Sequence, residues 1–177
     1  MPALTEARLT LLRRRIAQTG EPARTAAADE PSTSVPFGEF GTAERRMWRI
    51  YELDPESVSN NIGLVLQFGG TRTLRSVVDS AELLVERFGV LRSVVEVDDA
   101  GTPRRRAVSH EGSWDASGTV WTWGLPDAEA TGPVDDADAI ATALTRTPFD
   151  LTSDVPLRLQ VSGSDGDVTM ILVVHHL

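Results

Sequence analysis

The sequence predicts an α+β fold, a mixed α/β sandwich of about three core helices against a sheet of about six strands. Three observations carry that prediction. Residues 43–53 and 73–88 repeat apolar side chains at helical spacing. Several short runs alternate apolar and polar residues and are bounded by Gly, Pro or Asp. Val168 to Val174 is apolar enough to be buried on both faces of a sheet.

Along the chain, residues 4–17 read as an amphipathic helix. Leu9, Leu12 and Ile16 share a face, Arg8, Arg14 and Arg15 face water, Thr5 is the cap, and Gly20 ends the pattern. Residues 20–36 are rich in Pro, Ala, Ser and Thr without a period, as a linker is. The expected organisation is a helix in 1–19, a linker in 20–36 and a main domain in 37–177. Thr42 caps a helix over 43–53 with an apolar stripe of Met47, Ile50 and Tyr51, Trp48 beside it, and Asp54-Pro55 as its stop. Asn61 to Phe68 alternates as a strand. Residues 73–88 form a helix with Leu74, Val77, Val78, Ala81, Leu84, Val85 and Phe88 on one face, ended by Gly89. Strands follow at 90–97 and 104–108 around an Asp98–Gly101 turn. Residues 109–118 read as loop and 120–123 as a strand. A helix from 135 or 136 to about 146 buries Ile140, Ala143 and Leu144. Strands at 157–161 and 168–174 flank a loop over 162–166.

The formal net charge of −9 argues against a nucleic-acid partner, which needs a basic face. No apolar run approaches the length of about 18 residues that would span a membrane, and the basic N-terminus lacks the apolar stretch of a secretory signal. A cytoplasmic location is therefore expected. The absence of cysteine removes disulfides and thiolate metal sites. Every basic side chain is arginine, and the runs Arg13–Arg15 and Arg104–Arg106 read as solvated.

Chemistry concentrates in the histidines. His110 sits in a polar loop and reads as solvated. His175 and His176 are adjacent at the end of the most apolar strand, so they point to opposite faces. One can support the core while the other faces a cleft as a base. Opposite-facing imidazoles do not converge on one metal ion. The bare dipeptide is equally compatible with a strand end that does no chemistry.

Segments in order along the chain resemble the condensation domains of nonribosomal peptide synthetases. Gly41-Thr42-Ala43-Glu44-Arg45-Arg46-Met47-Trp48 is similar to the motif S-x-A-Q-x-R-L-W, with Glu44 for Gln and Met47 for Leu. Leu53-Asp54-Pro55 and Asn60-Asn61-Ile62 are similar to L-x-P and Y-N-x-P. Arg87 to Val95 is similar to R-H-E-x-L-R-T-x-F, keeping Arg87 and Arg92 but carrying Phe88-Gly89 for His-Glu. Pro148-Phe149-Asp150-Leu151 with Pro156-Leu157-Arg158 is similar to P-F-D-L and P-L-R, and Ile171 to Leu177 to the opening of H-H-x-x-x-D-G.

The resemblance implies a single chloramphenicol-acetyltransferase-like lobe, half of a pseudo-dimer. It implies amide formation between a carrier-bound acyl or peptidyl thioester and an aminoacyl thioester. His176 would be catalytic, orienting the amine, taking its proton or stabilising the tetrahedral intermediate; His175, Arg87 and Arg92 would support the site. No cofactor would bind directly; substrates would arrive on phosphopantetheine arms. Donor and acceptor peptidyl carrier proteins and a C-terminal lobe would be the partners. Three alternatives stay open: a related acyltransferase using an alcohol acceptor, a silent recruitment domain, and a stand-alone binding module. Retention of both histidines argues against the silent domain. The motif's Asp and Gly would fall at positions 180 and 181, so the chain is expected to be interrupted within the motif. One lobe cannot form a tunnel between two. Residues 1–177 expressed alone are therefore expected to be inactive and prone to associate through an uncovered apolar face; a soluble, amide-forming product would overturn this.

Overall fold

A strand with apolar residues on both sides needs cover on both faces, and that requirement organises this chain. A computed structural model describes residues 38–125 and 136–177. The helix expected in 4–17, the linker of 20–36 and the arginines of 13–15 lie outside the described residues. In order come α1 (Thr42–Leu53), β1 (Asn61–Gly69), α2 (Leu74–Arg87), a 3-10 turn (Gly89–Arg92), β2 (Ser93–Val97), β3 (Pro103–Ala107), β4 (Ser113–Trp114), β5 (Val120–Trp123), α3 (Ala137–Thr145), β6 (Leu157–Ser164) and β7 (Asp167–His175). Five strands form an antiparallel sheet in the order β1-β7-β6-β5-β4, and β2 and β3 form a separate hairpin.

Strand alternation assigns the faces. Trp121, Trp123, Leu157, Leu159, Val161, Val168 and Met170 pack on Val77, Val78, Ala81 and Val85 of α2. Ile171 and Val173, on the opposite face, pack with Trp48 and Tyr51 of α1, Ala141 and Leu144 of α3, and Phe149, Leu151 and Val95. The mixed α/β architecture, a sheet with three helices, is thus the one expected. Strand β7 lies between β1 and β6 and is covered on both faces.

Local signals start the helices. The Glu44 carboxylate accepts from Gly41 N–H at 2.7 Å at the start of α1. Thr73 and Ser76 bond reciprocally at the start of α2, where Asp165 of the β6–β7 turn also accepts from Leu74 N–H at 3.0 Å.

The end of α3 is satisfied by distant side chains. The last turn of a helix leaves carbonyls without intrahelical donors. Arg158 on β6, 1% exposed, donates to the carbonyls of Leu144 (3.2 Å), Thr147 (2.7 Å) and Pro148 (2.6 Å). Its guanidinium lies 3.7 Å from the centre of the Phe149 ring. Asn61 Nδ2 donates to Thr145 O at 2.9 Å and Thr147 O at 3.1 Å.

Several boundaries and burials differ from expectation, some through local bonds and some through pairing or packing at a distance. Val90 to Arg92 are not strand: Leu91 N–H bonds back to Phe88 O and Ser93 Oγ to Val90 O, closing a 3-10 turn. The loop expected at 109–118 contains β4, whose Ser113 and Trp114 pair with β5. Residues 162–164 continue β6, so the loop shrinks to a turn at Asp165-Gly166. In α1, Trp48 and Tyr51 are the buried pair and Ile50 is exposed. In α2, Leu84 and Phe88 lie at the margin of the face and are exposed. In α3, Ala141 and Leu144 are buried, Ile140 is half-buried and Ala143 faces water. The 104–106 run is not uniformly solvated. Alternation on β3 turns Arg105 inward, leaving its side chain 5% exposed, while Arg104 and Arg106 face solvent.

Arg158→Ala would remove the side-chain donor shared by three carbonyls, leave Pro148 O without its partner among the described residues, and open space under Phe149. The expected cost is about 3–5 kcal/mol, read as a lower urea midpoint; a midpoint equal to the parent's would contradict the role assigned to Arg158.

Candidate functional site

The last rungs of the β1–β7 ladder build the site. Asn61 lies opposite His175. His175 N–H donates to Pro156 O at 3.0 Å, and His176 N–H to Asn60 O at 2.8 Å. Leu177 N–H turns back to His175 O at 2.9 Å. The two imidazoles therefore leave the chain in opposite directions. His175 is 4% exposed, whereas His176 is exposed.

His175 sits edge-on to Tyr51 and Phe149, with ring centres 6.2 and 6.0 Å away. Its Nδ1 is buried and has no hydrogen-bond partner among the described residues. Burial, with His176 alongside, pushes its pKa down to about 4. Near neutral pH it is an uncharged core group. Tyr51 Oη accepts from Leu151 N–H at 3.2 Å, which joins α1 to the segment that carries Phe149. The His176 ring has no hydrogen-bond partner among the described residues and is open to an incoming group. An exposed imidazole on a fixed main chain can accept a proton or donate a hydrogen bond to a developing charge.

The segment after His176 is held by a side chain that sequence reasoning missed. Arg105 Nη2 donates to Leu177 O at 3.2 Å. Its Nε and Nη2 also reach Glu44 Oε1, at 3.1 and 2.9 Å. Burial alone would raise the Glu44 carboxyl, but the Gly41 amide and the Arg105 guanidinium outweigh it and hold its pKa below the ordinary value. The legible signal was alternation: in an exposed two-stranded hairpin, the middle of three arginines must face inward.

Arg87 is exposed in the last turn of α2, and Arg92 ends the 3-10 turn with its Nε buried and, among the described residues, unpartnered. Among the described residues neither makes a hydrogen bond or ion pair with His175 or His176. Arg92 instead lines a cavity of about 500 Å³ with Glu82, Glu86, His110 and Trp123. His110 is not simply solvated: its Nε2 accepts from Gly124 N–H at 2.9 Å, and its ring stands edge-on to Trp123. Among the described residues no cluster of His, Asp and Glu could hold a metal ion, and no helix is long and apolar enough to cross a membrane.

The buried His175 makes a prediction about pH. Its imidazole stays neutral down to about pH 4 in the fold but titrates near 6.5 in the unfolded chain. Between those values the unfolded state holds the extra proton, so stability falls as pH drops from about 6.5 to 4 and this contribution levels off below. The expected loss is about 3 kcal/mol. His175→Phe should remove that part of the pH dependence, measured by urea unfolding at pH 7 and pH 5; equal slopes in both proteins would refute it.

No protein-family model matches the chain. It is 27% identical over 169 residues to a protein of Salinispora arenicola (strain CNS-205) described as a probable non-canonical nonribosomal peptide synthetase, CymA; the match covers 94% of this chain and 2% of that protein. Among solved structures it is similar to the first condensation domain of the CDA synthetase (TM-score 0.57, 21% identity, 82% of this chain and 36% of that one). It is also similar to the starter condensation domain of the rhizomide synthetase RzmA (TM-score 0.54, 16% identity, 80% of this chain and 33% of that one). The chain thus spans about a third of the length of those structures. At such identities the likeness is one of architecture: the described residues have the fold of a single condensation-domain lobe.

Proposed function

We propose that this chain supplies the histidine-bearing lobe of an amide-forming acyltransferase in nonribosomal peptide biosynthesis. The observation that carries the reading is the opposed pair at the end of β7: a buried, neutral His175 beneath an exposed His176 whose main chain is bonded to Asn60. The likeness in fold to condensation domains supports the same reading.

In this reading the donor and acceptor reach His176 as thioesters on the phosphopantetheine arms of two carrier proteins. The acceptor's amine nitrogen attacks the donor's thioester carbonyl. A C–N bond forms, the C–S bond breaks, the amine loses a proton and the departing thiolate gains one. His176 orients the amine and relays that proton. His175 keeps the strand end seated and takes no part in proton transfer. A second lobe completes the cleft.

The test uses the intact protein with both carriers loaded, followed by mass spectrometry of the carrier-bound product. His176→Ala should slow amide formation by about 10²-fold or more at an unchanged thermal midpoint. Undiminished turnover in that variant would overturn the assignment. Product on alcohol but not amine acceptors would replace amide formation with ester formation.

A further inference from the structure

We infer that Arg105, gripped by Glu44, is a positioning residue for His176. The inference rests on the reading of His176 as the catalytic group. It concerns a residue that lies over 60 positions along the chain from Glu44 and over 70 from Leu177.

A buried guanidinium is costly unless its donors are used. Arg105 uses them to join three elements that share no backbone ladder. It stands on β3 of the separate hairpin, bonds Glu44 in the first turn of α1, and bonds the carbonyl of Leu177 beyond β7. Its Nη1 lies 3.5 Å from Ser93 Oγ on β2, and its guanidinium carbon lies 5.1 Å from the centre of the Phe40 ring. Glu44 is fixed in turn, because its other oxygen accepts from Gly41 N–H.

The His176 main chain therefore has an anchor on each side. On one side its own N–H meets Asn60 O; on the other, Arg105 holds the next carbonyl. Among the described residues, Arg105 is the only side chain that hydrogen-bonds the main chain of residues 175–177. The Leu177 side chain adds apolar packing but no direction. Lysine cannot reproduce the device. A planar fork can hold Glu44 and Leu177 O together, whereas an ammonium on a flexible stem holds a point.

An imidazole displaced by about 1 Å can cost 10²-fold in rate. Arg105→Gln and Arg105→Lys in the intact protein should each lower kcat by about 10- to 100-fold, with KM for both loaded carriers unchanged, at temperatures where the variants are fully folded. Glu44→Gln should lower kcat in the same direction, and the Glu44→Gln/Arg105→Gln pair should lose less than the product of the two single losses. Arg106→Gln removes a neighbouring exposed arginine that pairs with Glu96 and should leave kcat unchanged. If Arg105→Gln does not fold, Arg105→Lys decides. Wild-type kcat in a folded Arg105 variant, while His176→Ala is inactive, overturns this inference and leaves the catalytic reading standing. Full activity in His176→Ala overturns the catalytic reading, and this inference with it.

Discussion

The guanidinium of Arg158 is the contact on which the rest of this structure depends. It lies inside the core, where an unpaired charge would cost several kcal/mol. Its cost is offset by three carbonyls at the end of α3, the face of Phe149, and Asp154 at 3.6 Å. Those bonds fix where α3 ends and how the chain leaves it. That exit places Phe149 against His175 and Leu151 against Tyr51. A helix terminus, an aromatic segment and a buried histidine are thereby set by one side chain on the neighbouring strand.

A second constraint follows from the two-residue period of β7. The strand is covered on both faces, so its register admits no slip. His175 must enter the core and His176 must leave it. The core side is aromatic and dry, which keeps His175 uncharged. The outward side is open, and there the main chain is held by Asn60 and Arg105. A buried, uncharged imidazole and an exposed one are thus set on two adjacent residues by strand geometry alone.

The helices and strands of the sheet were largely legible because their signals are local. Thr73 with Ser76, the Asp54-Pro55 stop and the apolar period of α2 each act within a few residues. The errors came where other contacts, local or tertiary, override an apolar pattern. The run at 90–92 is apolar like a strand, yet the geometry after Gly89 closes it into a 3-10 turn. Ala143 shares the apolar character of Ala141, but α3 lies on the sheet with Ala141 beneath it. Arg87 and Arg92 belong to a resemblance along the sequence, and among the described residues neither bonds the histidine pair.

By itself the sequence determined the mixed α/β class, the buried last strand, and the opposed directions of His175 and His176. These depend on spacing, which a linear chain carries. Only the tertiary structure decided that Arg105 is buried against Glu44, that Arg158 closes the end of α3, and that His110 accepts from Gly124. Each joins residues ten or more positions apart. Whether a charged or polar side chain meets water or a partner depends on what the rest of the chain brings to it.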